Sequence, residues 1–222
     1  MATVYAGTGD SWRGNTSSSS WSAAQGDATT TGSMGSSTIS YGYSAAVYNR
    51  YFGGRGGNTY DCRRVYLPFD LSGESGTVSS AELKVYMDNY GTTGSFADAA
   101  IVEATALANS HADFGNVYST GTTWGDTLGS SVNISTAVGY HTFTLNSDGI
   151  ALLNSSVGSG TATIGLVGAK LDRGNTTPNL NGDYTRFMVY FADYTGTSRD
   201  PYLDITYATA VTENAIFFGH NF

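Results

Sequence analysis

The clearest pattern in the chain is strict alternation between residues 62 and 87. In CRRVYLPFDLS, Val65, Leu67 and Phe69 fall on one face of an extended chain, and Arg64 and Tyr66 on the other. The turn-rich GESGTVSS follows. Alternation then resumes in AELKVYMDNY, with Leu83, Val85 and Met87 inward and Glu82, Lys84 and Tyr86 outward. A period of two with one apolar face marks a half-buried strand. TISYGYSAAVYNRYF reads as one or two further strands, broken by GGRGGN, and GYHTFTLN, TATIGLVGA, TRFMVYFAD and PYLDITYA read as four more. ADAAIVEATALA is rich in the helix former alanine, yet Ile101, Glu103 and Thr105 alternate loosely against Val102, Ala104 and Leu107, which assigns it to a strand. SDGIALLNS predicts a short helix with Ser147 or Asp148 as its N-cap. About eight to ten short strands joined by Gly-rich turns predict an all-β, antiparallel, jelly-roll-like sandwich.

Composition adds domain organisation. Gly is frequent (29) and Pro rare (3), only 13% of residues are charged, and Tyr (16) and Phe (10) are plentiful. That mixture suits twisted strands and tight turns. Residues 1–37 are rich in Gly, Ser and Thr but contain Trp12, Trp21 and Met34, side chains that pack. They predict an irregular arm lying on the domain. The sandwich occupies residues 38–207. Residues 208–222 form an apolar tail in which Ile216 and Phe218 point to one side of an extended chain and Phe217 to the other. A two-sided apolar segment needs cover on both faces. Ile216, Phe217, Phe218 and Phe222 are therefore the expected docking residues on a neighbouring subunit, or in a groove of their own domain.

Charge removes several classes of function. The net charge of −8 arises from few basic residues, not from acidic runs. Nucleic-acid and anionic-membrane partners need clustered Lys and Arg. No stretch approaches the roughly 20 apolar residues of a membrane helix. Cys62 is the only cysteine, so no internal disulfide forms. The N-terminus lacks the basic and apolar regions of a signal peptide, whereas the composition is that of an extracellular β-protein. A virion protein, made in the host cytoplasm and released by lysis, reconciles the two; an extracellular location is the alternative.

Candidate chemistry is sparse. His111, His141 and His220 are far apart and suggest no zinc spacing. No nucleophile elbow or zinc-protease motif appears, and no carboxylate pair is identifiable, so no enzymatic activity is expected. Asp10, Asp27, Asp88, Asp172 and Asp183 sit in turns that could serve a structural calcium, although turn aspartates usually bond their own backbone. No other cofactor is expected. Cys62 reads as a small buried residue, and Arg64 as the partner of an aspartate. Tyr41, Tyr43, Tyr48 and Tyr51, with Phe52 nearby, are candidate stacking rings for a glycan, and Trp12, Trp21 and Trp124 add to the pool. The same rings equally suit core packing or subunit contacts.

One segment carries a family resemblance. CRRVYLPFDLSGESGTVSSAELKVYMDNYG resembles the hallmark of DNRLRE-type domains: an arginine (Arg63 or Arg64), alternating apolar residues, Phe69-Asp70-Leu71-Ser72, then Ser80, Ala81, Leu83, Val85 and Tyr86. GTTWGD, GYHTFTLNSDGIALLN and FMVYFADYTGTSRDPYLDITY are similar to later pieces of that family, in the same order, with Pro201, Leu203, Ile205 and Tyr207 in register. The resemblance covers roughly residues 38–207. It implies a jelly roll related to carbohydrate-binding modules, found in secreted, surface and viral proteins, some of which bind polysaccharide. Two expectations follow. One is a structural virion component, such as a phage capsid decoration, tail or fibre protein, that assembles with its own copies and other virion proteins through its termini. The other is a carbohydrate-binding module or adhesin that recognises polysaccharide through surface aromatics.

Overall fold

The computed structural model describes residues 1–7, 9–26, 32–36, 45–54, 57–88, 98–108, 111–120, 123–134, 138–179, 184–192 and 196–209. They form fourteen strands, all paired antiparallel, and few helices. The fold class is the all-β antiparallel sandwich expected from the alternation. The strand number exceeds eight to ten because several strands are only two to five residues long. Three of the fourteen strands, two of them short, lie in the first 37 residues, where composition suggested an irregular arm.

Two layers emerge from the pairing. The front sheet runs β1 (Ala2–Tyr5), β14 (Tyr202–Tyr207), β6 (Val78–Asp88), β11 (Gly139–Thr144). The back sheet runs β3 (Gly32–Ser36), β2 (Ser11–Ser18), β5 (Gly57–Asp70), β12 (Thr161–Gly168), β7 (Asp98–Ala104), β10 (Val132–Asn133). Strand β4 (Ala45–Gly54) pairs with β5, and β13 (Thr185–Val189) pairs with both β4 and β6. That ribbon carries the hydrogen bonding from one layer to the other. One core lies between the layers: Leu83, Val85, Phe143, Leu203 and Ile205 in front meet Val65, Leu67, Phe69, Ile101, Ile164 and Leu166 behind. In β5 and β6 these are the inward positions that the alternation assigned.

The ends of the sandwich are closed by local capping. Helix α2 (Ser147–Ser156) starts one residue earlier than the sequence suggested. Its N-cap is Asn146, whose Oδ1 accepts from the amides of Asp148 and Gly149 at 3.0 Å each. Buried Leu153 docks the helix on the core. Asn154 brackets the start of β6, accepting from the Val78 amide at 2.8 Å and donating to its carbonyl at 3.1 Å. Asp70, exposed at the end of β5, accepts from the Ser72 amide at 2.9 Å and fixes the turn.

The outer face of the back sheet is not solvated. Helix α1 (Trp21–Gly26), a 3-10 segment (His111–Val117), the small hairpin β8 (Tyr118–Thr120)–β9 (Thr123–Trp124) and a π-helical turn (Ala169–Arg173) supply its cover. Tyr66, Val102 and Val167 pack there against Val117. Gly165 allows the close approach, because a Cβ at that position would lie 2.8 Å from Val117 Cγ1. Fully buried Arg64 fastens this cover to the sheet. Its Nε and Nη2 grip Asp172 at 2.7 and 2.8 Å in a bidentate pair. Nη1 donates to the Phe114 carbonyl (3.0 Å), and Nη2 also lies within reach of the Gln25 carbonyl (3.1 Å) and Tyr118 Oη (2.8 Å). The rings of Phe114, Tyr118 and Trp124 surround the guanidinium at 4.1–5.0 Å. A second buried pair, Arg13–Asp113 at 3.4 Å, ties β2 to the 3-10 segment.

A buried ion pair that loses one partner leaves an uncompensated charge. Arg64→Met and Asp172→Leu should each lower the unfolding free energy by about 3–5 kcal/mol, and the double replacement by less than either single change. Urea denaturation measures all three; single losses below about 1 kcal/mol would contradict the fastening role.

Candidate functional site

The outer face of the front sheet differs in kind from that of the back sheet. It carries tyrosines on adjacent strands, in register. Tyr5 on β1 stands opposite Tyr202 on β14, and Tyr86 on β6 opposite Tyr140 on β11. Tyr140 reaches across β6 to Tyr202, with ring centroids 5.3 Å apart. Tyr190, just after β13, completes the row. The successive separations are 5.7 Å for Tyr5–Tyr202, 5.3 Å for Tyr86–Tyr140 and 5.1 Å for Tyr86–Tyr190. The contacts are tilted or edge-to-face, the arrangement that ring quadrupoles prefer. Each tyrosine is thereby held in one orientation by its neighbours.

Charged groups lie beside the rings. The Arg199 guanidinium sits 5.0 Å from the Tyr86 ring centre and 4.8 Å from that of Tyr190, and it donates to Tyr190 Oη at 2.9 Å. Lys84 stands opposite Tyr202 and reaches Glu82 at 3.1 Å and Asp204 at 3.7 Å. Thr3 donates to Asp204 at 3.0 Å. Tyr140 donates to the Asp200 carbonyl at 3.2 Å. Burial against the other rings, followed by the nearby phenol of Tyr202 and the Asp200 carboxylate, pushes the Tyr140 phenol up to about 12. The face therefore offers ring surfaces framed by a cation, carboxylates and hydroxyls.

A second aromatic feature lies on the back-sheet cover. A cleft of about 420 Å3 is lined by Ser22, Gln25, Tyr118, Trp124, Arg173 and Asn175. Tyr118 and Trp124 meet edge-to-face at 5.0 Å. Much of its polar lining is already engaged. Tyr118 donates to the Gln25 carbonyl at 3.0 Å, Gln25 Nε2 donates to the Asp172 carbonyl at 2.7 Å, and Arg173 donates to Thr127. The cleft is a continuation of the Arg64 cluster to the surface.

Of the residues expected from sequence to bind glycan, Tyr41 and Tyr43 lie outside the described residues, as does the side chain of Tyr48. Tyr51 is half-buried and packs on Tyr60 at 5.1 Å; it does not join the front-face row. The expected docking residues Ile216, Phe217, Phe218 and Phe222 also lie outside the described residues. Trp12 and Trp21 are buried, and Trp124 lines the cleft. Among the calcium candidates, Asp10 is buried and accepts from the Ala192 amide at 2.7 Å. Asp172 serves Arg64 instead of a turn ion. Asp27, Asp183 and the side chain of Asp88 lie outside the described residues. Among the described residues, no three His, Cys, Asp or Glu side chains are grouped to hold a metal. No described helix is long and apolar enough to cross a membrane.

Sequence reasoning marked Tyr86 as outward but did not single out Tyr5, Tyr140, Tyr190 or Tyr202. The available signal was the polar phase of their strands: Tyr140, Thr142 and Thr144 alternate with buried Phe143, and Tyr202, Asp204 and Thr206 with buried Leu203 and Ile205. A comparison with protein-family models finds no match, and a comparison with curated proteins finds none either.

Two titrations follow from these environments. Tyr140→Phe should remove one late-ionising phenol, near pH 12, from the alkaline absorbance titration. The raised phenol stabilises the fold while protonated, so that contribution persists below the ordinary tyrosine range and is lost as pH rises through about 12. Cys62 is fully buried, and its thiol is raised well above its usual range by that burial and by the Asp172 carboxylate. Native protein should not react with a disulfide reagent at pH 8, and unfolded protein should react stoichiometrically; rapid native labelling would contradict the burial.

Proposed function

We propose that this chain is a non-enzymatic sandwich module that recognises polysaccharide on the tyrosine row of its front sheet. One observation carries the reading: Tyr5, Tyr202, Tyr140 and Tyr86 form a continuous row, backed by buried Tyr190, on a sheet face whose counterpart on the back sheet is covered. Sugar rings present apolar C–H faces to aromatic rings and hydroxyls to polar neighbours. Lys84, Glu82, Asp204 and Arg199 are placed to meet those hydroxyls. The mutual packing of the tyrosines lowers the ordering cost of binding, since the rings are held before a ligand arrives. The resemblance to DNRLRE-type domains points the same way.

The setting we propose is a virion, with the chain as a decoration, tail or fibre protein of a bacteriophage. Support comes from β1, where residues 2–5 form an edge strand and leave Met1 and Tyr5 exposed at the rim of the front sheet. Such a rim suits assembly through the terminal region. Neighbouring genes for a capsid or portal protein fit this setting, and a metabolic operon does not.

Affinity electrophoresis in gels containing neutral or acidic polysaccharides, combined with a glycan array, tests the binding. Tyr5→Ala and Tyr140→Ala should each weaken retardation by about tenfold or more, a loss of about 1.4 kcal/mol. Trp124→Ala should leave it unchanged. Absence of binding to every polysaccharide, or binding indifferent to both tyrosine changes, sinks the reading. Loss confined to Trp124→Ala moves the site to the cleft.

A further inference from the structure

Strand β11 pairs with β6 and with no other strand among the described residues. At six residues it is the longest edge strand of the two layers, beside β1 (four), β3 (five) and β10 (two). Its register against β6 is regular over all six positions. Natural sheets blunt their edges with lysine, proline, bulges or short strands, because a bare edge pairs with another chain. Over residues 139–144 β11 uses none of these devices; just past its end Leu145 bridges Gly129. Residues 138–145 read VGYHTFTL, without Lys, Arg, Asp, Glu or Pro.

The exposed apolar side chains mark the same place. Among the described residues, four large hydrophobics are exposed: Met1 (95%), Tyr5 (44%), Val138 (59%) and Tyr140 (38%). Met1 and Tyr5 lie on or beside β1, and Val138 and Tyr140 on or beside β11, the two rims of one sheet. Electrostatics narrows the partner. Two copies of a chain with net charge −8 repel each other, so they meet best where neither carries charge. β11 is such a strip. The nearest charges on its neighbour β6, Lys84 and Glu82, neutralise each other at 3.1 Å.

We infer that β11 is a self-association edge: two copies of this chain pair through β11 in antiparallel fashion about a two-fold axis. A strand edge turned by such an axis is its own complement, so one surface serves both copies. Alternate backbone amides and carbonyls left open by β6 find partners in the second copy. A register that keeps Tyr140 of both copies on the outer face places Val138 and Tyr140 against the partner's edge. It also joins the two front sheets into one, so that the tyrosine rows become neighbours on a single surface. The pairing itself does not rest on glycan binding. Chains that dimerise and bind no polysaccharide would leave it standing while the proposed function fails.

The test is the self-association of the full chain by sedimentation velocity across a concentration series. Wild-type protein should show a reversible monomer–dimer equilibrium. Val138→Lys combined with Thr142→Lys places four cations along the paired edge and should raise the dissociation constant at least about tenfold. Circular dichroism and thermal melting should match wild type. Ser155→Lys with Ser159→Lys makes the same change in net charge on an exposed surface elsewhere and should leave the dimer intact. A wild-type chain that stays monomeric at the highest concentrations overturns the inference. So does a dimer indifferent to the edge lysines, or equally weakened by both lysine pairs. A dimer that ignores the edge lysines but disappears on removal of residues 210–222 also overturns it and assigns association to the tail.

Discussion

Arg64 with Asp172 is the interaction on which the arrangement of this molecule depends. A strand in a sandwich has an inner and an outer face, and Arg64 belongs to the outer face of β5. A lone guanidinium there would stay in water. Here it is wholly buried, which is tolerable only because its donors reach a carboxylate, two carbonyls and a phenol while three rings enclose it. Those partners come from five short elements: α1, the 3-10 segment, the β8 strand that follows it directly, β9 and the π-helical turn. None of these pieces is long enough to form a stable element alone. The charge selects their positions, and the apolar contacts of Tyr66, Val102 and Val117 then seal the layer.

This asymmetry divides labour between the two sheets. The back sheet is buried on both faces, and its outer side is spent on fastening irregular segments. The front sheet keeps one face in water, and tyrosine is well suited to that position because it joins ring area to a polar tip. The rings are ordered by one another and by Arg199 rather than by a covering layer. Tyr5 and Tyr140 are exposed and Tyr86 and Tyr202 half-buried, so a ligand could reach these four without displacing any described segment of the chain, while buried Tyr190 supports them from behind.

Much of this was legible in the sequence, and the limits follow from range. The period of two located β5 and β6 with their inward residues, and β14 as a strand, since alternation is a local consequence of the pleat. The aspartate partner of Arg64 was foreseen in kind but not in place: Asp172 looked like a turn residue, because only tertiary folding brings it beneath β5. Residues 1–37 read as an irregular arm because Gly, Ser and Thr carry no strong period, yet their backbone groups pair with β14 and β5. The tyrosine row was invisible for the same reason. Each tyrosine sits in a different segment, and only the registers between strands align them. The helix cap shifted by one residue, to Asn146, since asparagine, serine and aspartate all cap well and sequence ranks them nearly equal.

The pairing of β1 with β14 also sets an order of events during synthesis. Ala2 lies opposite Ile205 and Tyr5 opposite Tyr202, so β1 leaves the ribosome long before β14 and waits for it before it has a partner. Contacts this distant in sequence are slow to form, and a strand held open meanwhile is exposed to other chains. Its shortness limits that hazard. The rim of the front sheet is thus completed only after β14 has been made, and Tyr5 joins the row of rings only then.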